Sequence, residues 1–453
     1  MPARSRLLLV LALATLLRVL RAGLRWDEVA WQYAAYTGPT VDALTEGRLL
    51  DACTTWIGLH PPLWPLLHAT QELLSPVPAI FLLTSAALSL IAVWAFRDRP
   101  LVALLLATSP VQLAYAGELN DYPLVAALVA LAWAWRGRPW RLAVLLALSC
   151  WTHVLAAVVV LTVILSQRQW RGLTGLLAGL PLAPGAMELI QDAHTYSQPP
   201  LKLTESIRDY GARLGGLGLA LLPFAVLGGR RLPSVALGLG AGLLFYVGLV
   251  LSGVAAPHQF MYLLAFGAPF FLLVEAGAQG RWRLVVLGLA LTQGAWWAGF
   301  EGLRLAQVTN SEERGVDLAV ERSRRGEALY LLASSGNNDD DKGLVSPTLW
   351  RLPPWEPMPM SRPYGFDYDD HRHGQPRTWR GRTVYVNDHL RDELSQAIQA
   401  HGRLFLVVYD AHAGLIDEVQ RRFGPGEEIG EDRLWVFEGS TVGVEGPNTS
   451  PSK

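Results

Sequence analysis

Long uncharged apolar stretches, separated by short basic clusters, constrain this chain more than any other feature. The uncharged stretches occur at about 77–96, 100–117, 122–135, 142–166, 172–187, 214–229, 232–257, 259–274 and 284–300. To these are added a first apolar helix near 7–23 and a segment at 61–75. Basic clusters lie between them, at 97–99, 136–141, 168–171, 230–231 and 281–283. Because blocks of this kind are typical of membrane spans, the sequence predicts a polytopic α-helical membrane protein over residues 1–300.

The composition agrees with this prediction and excludes other classes. Of the 453 residues, 51% are hydrophobic and only 17% are charged, below the roughly 25% usual for soluble domains. The net charge of −1 gives no sign of a nucleic-acid partner, which would need a basic patch. The two cysteines, Cys53 and Cys150, are too few for a disulfide framework or a zinc-finger pattern.

The N-terminal stretch "MPARSRLLLVLALATLLRVLRAG" combines basic residues with an apolar run, as a cleaved signal peptide does. Arg18 and Arg21, however, stand where small cleavage-site residues are expected. This favours an uncleaved first helix. With either interpretation, the loop that follows is expected outside the cytoplasm.

The basic clusters predict the topology, since Lys and Arg in short loops favour the cytoplasm. Placing all five clusters inside, together with Arg4 and Arg6, gives about eleven helices. It requires 61–75 to lie along the outer interface and 142–166 to form two short spans that turn near Ser149–His153. These halves are shorter than the roughly 20 residues needed to cross, so a single span there would invert everything downstream. The acidic loops then lie outside, at 24–60, 118–121 and 188–213.

The composition changes to that of a soluble domain after about residue 301. The runs "ALYLLAS", "RTVYVND", "LFLVVYDA" and "RLWVFEG" predict strands, and 389–401 and 414–423 predict helices. Their order predicts an extracytoplasmic α/β domain over 301–440 with a mainly parallel sheet. The remaining residues, 441–453, predict a disordered tail.

One stretch places adjacent carboxylates beside a membrane segment: "RWDEVAWQY", with Asp27 and Glu28 among Trp26, Trp31 and Tyr33. A carboxylate at the membrane rim is costly, so it is a functional candidate by default. The alternative is an ordinary polar flank that carries an aromatic interface belt. Position alone leaves both interpretations open.

An enzyme at the outer membrane face has no ATP, so an activated substrate has to arrive with a lipid. Sugars linked to polyprenyl phosphate meet this requirement, because the lipid stays in the bilayer and the head group lies at the rim. Transfer to a hydroxyl needs a general base and cationic or hydrogen-bonding groups at the phosphate leaving group. Asp27 is placed to be that base, with aromatic neighbours that can stack on a sugar.

Three elements in succession carry a resemblance to a known family: "WDEVAWQYA", then "HPPLWPLL", then "YAGELNDYPLVAALVAL". Together they resemble the GT-C glycosyltransferases that use polyprenyl-phosphate sugars, most closely the protein O-mannosyltransferases and the bacterial lipid A aminoarabinose transferases. The resemblance covers roughly residues 7–300. It implies an inverting transfer at the outer face of the cytoplasmic membrane, with a lipid-linked sugar, membrane lipid and an acceptor (lipid, glycan or protein) as partners, and with no cofactor or metal.

The resemblance also implies roles for individual residues. Asp27 matches the catalytic base, and the HPPL element helps to shape the site. The basic residue usual in the second outer loop is missing, and so is the Arg-Tyr pair that commonly begins a late helix. The predicted substrate-binding residues, which include substitutes for those cations, are Glu28, His60, Glu118, Asp121, Tyr122, His153, Lys202, His258 and Tyr262.

Five of these residues have a plainer interpretation. His60 can be a helix-start residue beside prolines, His153 a satisfied polar group in a helix bundle, and His258 an interface residue. Glu118 and Asp121 can belong to a solvated turn. At the level of the whole chain, the alternatives are a transporter or flippase, and a catalytically silent relative that acts as a binding scaffold. Acidic groups gathered at one face count against a transporter, whereas the missing arginines keep the silent relative open.

Overall fold

The computed structural model describes two groups of residues. The first comprises 3–24, 37–54, 56, 60–185, 187, 215–251 and 260–301. The second comprises 322, 328–332, 377–379, 382–386, 403–408, 420–421, 425–429 and 434–440. They belong to two compact units, a helical one and one that contains a sheet.

The first unit is built from helices that follow the apolar stretches. They are α1 (Ala3–Leu24), α2 (37–45), α3 (Leu49–Thr54), α4 (Leu63–Leu74), α5 (Pro78–Ala95), α6 (Pro100–Thr108), α7 (Pro110–Ala114), α8 (Tyr122–Ala134), α9 (Pro139–Cys150), α10 (Val154–Ser166), α11 (Gly215–Arg231), α12 (Pro233–Leu251), α13 (Gly267–Gly277) and α14 (Trp282–Trp296). Two 3₁₀ helices cover Trp170–Leu182 and Phe260–Phe266, and a π-helical turn covers Trp297–Glu301.

Two of the predicted apolar stretches each form two α-helices with a break between them. The stretch 142–166 forms α9 and α10 with a turn between them, as predicted. The stretch 100–117 was expected to be continuous, and this was wrong: it is broken at Ser109 into α6 and α7. The cause is Pro110, which has no N–H to donate to the carbonyl of Leu106.

The number of membrane spans remains a prediction. Within the described ranges, one helix, Pro78–Ala95, is long and apolar enough to cross a bilayer, judged by its length and composition. Six shorter apolar helical stretches of 10–17 residues accompany it.

Three of the basic clusters meet at the same end of the helical unit. Arg99, Arg231 and Arg283, one from each cluster, all donate hydrogen bonds to atoms within residues 275–278, at the end of α13. The bond from Arg99 is an ion pair of 2.9 Å with Glu275. Because these clusters share one end, they can all face the same compartment, as the predicted topology requires.

The first helix carries a buried cation, Arg18, whose side chain is fully enclosed. Its Nε donates to Oγ of Ser89 at 2.7 Å, and its other nitrogens donate to the main-chain oxygens of Ala107 and Leu106 at 3.3 and 3.5 Å. The Leu106 oxygen is the one that Pro110 leaves without a helical donor. Arg18 therefore caps the interrupted end of α6, and among the described carboxylates none forms an ion pair with it.

Glycines let two helices pack backbone against backbone. A Cβ atom added to Gly228 of α11 would overlap the carbonyl of Leu273 in α13, and one added to Gly277 of α13 would overlap the carbonyl of Phe224 in α11. Small residues at such contacts are typical of helix packing in membranes. These two positions therefore have to remain glycine for α11 and α13 to approach as they do.

The second unit contains a six-stranded sheet. Its strands are β1 (Ala328–Leu332), β2 (Arg377–Trp379), β3 (Arg382–Val386), β4 (Arg403–Val408), β5 (Glu427–Ile429) and β6 (Leu434–Ser440), in the order β2-β3-β1-β4-β6-β5. The four predicted strands coincide with β1, β3, β4 and β6. The predicted helices and tail lie outside the described residues, except that residues 420–421 are helical.

The sheet is mixed, which corrects the expectation of a mainly parallel one. Only β3–β1 and β1–β4 pair in parallel, with Leu329 opposite both Val384 and Phe405. The other three pairs are antiparallel. β2 and β3 are two residues apart and β5 and β6 four, and connections this short permit only antiparallel pairing.

Candidate functional site

Three predicted residues from separate loops meet in the helical unit. His60 lies just ahead of α4, Asp121 is the residue before α8, and His153 is the residue before α10. The exposed fractions of the three residues are 9%, 1% and 1%, respectively. One possible ligand atom from each lies within 4.8 Å of the others. We call these three residues the loop cluster.

His60 and Asp121 form a hydrogen-bonded pair, with Nδ1 of His60 2.9 Å from Oδ1 of Asp121. An ionised carboxylate is only an acceptor, so Nδ1 carries the proton and donates it. In the neutral ring, Nε2 of His60 then carries the lone pair. The second oxygen of Asp121, Oδ2, is buried and has no hydrogen-bond partner among the residues that the structure describes.

His153 has the opposite tautomer. The backbone N–H of Leu155, in the first turn of α10, donates to Nδ1 of His153 at 3.0 Å. Since that nitrogen accepts, the proton of the neutral ring lies on Nε2. Burial lowers the pKa of His153 to about 4, although the carboxylate of Asp121 opposes the shift. His153 is therefore a neutral imidazole near pH 7, with an N–H at Nε2.

Two further bonds hold the three loops together. The backbone N–H of Leu63 donates to the carbonyl of Trp151 at 2.8 Å, which joins the start of α4 to the turn before α10. The indole N–H of Trp64 donates to the carbonyl of Leu119 at 3.1 Å, which joins the same helix to the loop before α8. Sequence reasoning did not single out Trp64, although its position directly after HPPL was a signal that could have identified it.

At the start of α8, the side chain that accepts a backbone hydrogen bond is that of Asn120, not that of Asp121. The Oδ1 of Asn120 accepts from the backbone N–H of Tyr122 at 3.2 Å, and its Nδ2 donates to Oε2 of Glu118 at 2.9 Å. Asp121 makes no capping bond of its own. Glu118, Asn120 and Asp121 are all buried, so the alternative of a solvated turn is wrong.

Tyr122 closes one side of the loop cluster. Its ring centroid lies 5.8 Å from that of His60 and 6.0 Å from that of His153. The two histidine rings themselves meet edge to face at 5.1 Å. The ring of Tyr115 meets that of Tyr122 edge to face, with the centroids 5.6 Å apart. The structure thus brings four predicted residues into direct contact and links the fifth, Glu118, through Asn120.

The other predicted residues are not among the side chains that the structure describes. Asp27, Glu28, Lys202 and His258 lie outside the described residues. For Tyr262 the structure describes only the backbone, within the 3₁₀ helix Phe260–Phe266. Their roles in catalysis and substrate binding remain predictions.

Two histidines and one aspartate are also a donor set that zinc accepts. A ligating histidine has to present a lone pair to the metal and usually donates its other N–H to a neighbour. His60 meets that condition, because its Nδ1–H bonds to Asp121. His153 does not, because its accepting nitrogen already holds the N–H of Leu155. The loop cluster therefore fits a metal ion only in part.

Comparisons with known proteins give one distant similarity. No family model matches the chain, and no curated protein matches it. Among solved structures, the chain is similar to the crystal structure of ArnT from Cupriavidus metallidurans in the apo state, with 12% sequence identity and a TM-score of 0.47 over 97% of this chain and 98% of that chain. A similarity this distant does not define the chemistry of the site, which rests on the residues of this chain.

Proposed function

We propose that the chain is a multi-pass glycosyltransferase of the cytoplasmic membrane with a GT-C-like architecture. It transfers a sugar from a polyprenyl-phosphate donor to an acceptor at the outer face, with inversion at the sugar. The observation that supports this most is the hydrogen bond between His60 and Asp121, because it joins the HPPL element to the second outer loop inside the protein. These are two of the three sequence elements on which the family resemblance rests.

The position of the loop cluster favours an enzyme at the membrane rim over a transporter. A transporter site is expected near the bilayer midplane, at broken helices. His60, Asp121 and His153 instead lie in connections, each ahead of a helix start. A catalytically silent scaffold has no need to enclose three ionisable side chains, which are costly to bury.

The proposed roles follow the sequence. Asp27 is the general base that accepts the proton of the acceptor hydroxyl, and Glu28 binds the sugar or orients Asp27. Lys202, His258 and Tyr262 bind the lipid phosphate in place of the missing arginines. The C-terminal domain is proposed to be extracytoplasmic.

The test is turnover by the purified protein in detergent or nanodiscs. Polyprenyl-phosphate sugars with different head groups are supplied together with envelope lipids and glycans as acceptors, and released polyprenyl phosphate is measured. We expect release that depends on the acceptor, retained in Glu46→Gln, a change in an exposed ion pair with Arg48. If no donor yields polyprenyl phosphate while the protein moves lipid-linked sugar across vesicle membranes, the transporter alternative holds.

A further inference from the structure

Four arginines from four basic clusters of the sequence lie close together near the C-terminal end of α13. We call them the arginine cluster: Arg99, Arg136, Arg231 and Arg283. Arg99 forms an ion pair of 2.9 Å with Glu275, and Arg231 and Arg283 donate to main-chain oxygens within 276–278 at 2.6 and 3.3 Å. Arg136 is close enough to Arg99 for the charge of Arg99 to contribute, after burial, to a lowered pKa of Arg136.

The arginine cluster has more positive than negative charge. Among the described residues, Glu275 is its one carboxylate partner. Asp98, next to Arg99 in the sequence, is exposed and forms no ion pair with a described residue. Arg99 and Arg136 are both partly buried, and like charges repel more strongly away from bulk water. An anion that binds between these side chains would relieve the repulsion.

Helix capping is the plainer account of these arginines, because basic side chains near a helix C-terminus commonly bond to its last carbonyl groups. Capping accounts for one N–H of Arg231 and one of Arg283, whereas a guanidinium carries several more. Within the described structure, neither side chain has a further hydrogen-bond acceptor. Both residues are exposed, so their other donors are available to an acceptor outside the protein. Phosphate accepts such donors in pairs.

The helix surfaces beside the arginine cluster are apolar, which indicates a lipid as the source of the phosphate. Leu227 lies one turn before Arg231 on α11, and Leu287 lies one turn after Arg283 on α14, so each pair shares a face of its helix. The two leucines are 47% and 38% exposed. Trp282, about half exposed, packs on a ring of α11, and tryptophan is enriched at the membrane interface. Apolar side chains along the helices with arginines at their ends match the acyl chains and head group of a phospholipid.

We propose that the arginine cluster is a binding site for the phosphate of an anionic phospholipid in the cytoplasmic leaflet. This rests on the membrane location in the proposed function and not on the transfer reaction. Basic pockets between transmembrane helices on the cytoplasmic side bind such head groups. The site is separate from the loop cluster, because α8 begins directly after Asp121 and ends shortly before Arg136. Its 13 residues place the two clusters about 20 Å apart along the helix axis.

The bound lipid would also stabilise the helical unit. Arg99 immediately precedes α6, Arg231 is the last residue of α11, and Arg283 lies in the first turn of α14. A phosphate held by these side chains therefore joins three helices around the end of a fourth, α13. A ligand that binds the folded state and not the unfolded one raises the stability of the fold.

The test titrates the purified full-length protein in a neutral detergent with phosphatidylglycerol or with the zwitterionic phosphatidylcholine. Native mass spectrometry counts the lipids retained, and thermal unfolding measures the Tm. We expect the wild type to retain phosphatidylglycerol selectively and to gain Tm with it. Arg231→Gln combined with Arg283→Gln should weaken this binding by about 30-fold, which is about fivefold for each arginine removed. Lysine at both positions should restore part of the binding, because it keeps the charge without the planar fork.

Arg171→Gln is the matched control for a single substitution, Arg231→Gln. Arg171 is also exposed and belongs to the basic cluster at 168–171, but its 3₁₀ helix packs against α9, whereas the arginine cluster lies at the end of α13. It should bind phosphatidylglycerol as the wild type does. An equal loss of binding in Arg171→Gln and Arg231→Gln would show that the basic end attracts anionic lipid without a defined site, and would overturn the proposal.

Further outcomes decide the occupant of the site. Equal retention of the two lipids by the wild type overturns the proposal, as does unchanged selectivity in the folded double glutamine variant. If that variant does not fold, full wild-type affinity in the double lysine variant overturns the bidentate site in its place. An equal gain in Tm with inorganic phosphate, or with a poly-glutamate peptide and no lipid, would identify a soluble anion as the occupant and also overturn the proposal.

The lipid assay requires no turnover, so the two proposals fail separately. Selective retention of phosphatidylglycerol by a protein that transfers no sugar supports the lipid site and refutes the transferase. Sugar transfer by a protein that retains both lipids equally leaves the transferase and refutes the lipid site.

Discussion

Gly228 and Gly277 face each other where α11 and α13 meet, and a methyl group placed on Gly277 would lie 3.0 Å from the amide nitrogen of Gly228. The same methyl group would overlap the carbonyl of Phe224. The contact is between two backbones, with no flexible side chain that can move aside. The packing of these helices thus depends on the lack of a side chain at both positions. The adjacent Gly229 provides a matched comparison.

Gly228→Ala should destabilise the helical unit, whereas Gly229→Ala should not. A Cβ at Gly228 overlaps backbone, and overpacking of this kind typically costs about 1–3 kcal/mol. A Cβ at Gly229 meets only the Cβ of Ala236 at 3.5 Å, an ordinary contact, and alanine is favoured over glycine in helices by up to about 1 kcal/mol. Thermal unfolding in the same detergent measures both. Equal Tm values for the two variants would contradict the close approach.

Arg18→Met should destabilise the protein more than Ser89→Ala. Removal of the guanidinium leaves the carbonyl oxygens of Leu106 and Ala107 without these donors, and each buried unsatisfied group costs about 1–3 kcal/mol. Ser89→Ala removes one bond only. The control is Thr15→Ala in the same helix, whose hydroxyl bonds locally at an exposed position. A Tm for Arg18→Met equal to that of the control would show that the cap is dispensable.

His153 should make stability depend on pH below neutrality. Its pKa is about 4 in the folded protein and about 6.5 in an unfolded chain, so the unfolded state binds more protons between these values. Stability should therefore decrease as the pH falls from about 6.5 and level off below about 4, by at most about 3 kcal/mol in total. His153→Asn keeps a capping oxygen for Leu155 but cannot titrate. Subtracting its unfolding curve from that of the wild type isolates the effect, and identical pH dependence in both would refute it.

Asp27→Asn should nearly abolish transfer while the protein still inserts normally. Loss of a general base typically costs about 10²–10⁴-fold in rate. Glu28→Gln should be milder, because the family resemblance places the essential carboxylate first in the pair. Polyprenyl phosphate release from both purified variants measures this. Near-normal turnover of Asp27→Asn would show that residues 25–33 are an ordinary polar flank of the first helix.

The C-terminus and the loop cluster should lie on the outer side of the membrane. Arg99, Arg231 and Arg283 gather at one end of the helical unit, and basic residues favour the cytoplasm. Reporter fusions placed after residue 300 should therefore be active outside the cytoplasm, as should fusions in the turn at Ser149–His153. Activity only in the cytoplasm after residue 300 would invert the arrangement from α10 onwards.

Hydropathy was sufficient to predict where most helices lie, because helices in a bilayer need apolar length and proline commonly begins them. The turn between α9 and α10 was predicted from the positions of the basic clusters in the flanking loops. Hydropathy did not predict the end of α6, although Pro110 marks it, because an apolar run continues across the break. The mixed sheet was missed for a related reason: β2 and β5 have three residues each, too few for a periodic pattern.

The sequence singled out three loop residues that the structure brings together, but it did not predict how they are paired. His60, Asp121 and His153 were chosen from resemblance and residue type, but no spacing rule joins residues 61 positions apart. The role of Asn120 as the cap of α8 was also hidden, since Asp121 is an equally good capping residue by type. Which of the two caps is decided by the bond that His60 makes with the other, and that bond depends on tertiary packing.

The buried Arg18 has a consequence for how the chain is made. Its partners Ser89, Leu106 and Ala107 are synthesised some 70 to 90 residues after it. Until they emerge, α1 offers the bilayer an uncompensated charge, with an insertion penalty of about 2.5–3.5 kcal/mol for Arg near the centre of a span. We therefore expect the first helix to wait at the translocon or the lipid interface and to enter the membrane together with α5 and α6. These three helices would then insert into the membrane as a group. A ribosome-bound chain that ends before Ser89 should be extracted from the membrane more easily than one that extends past Thr108.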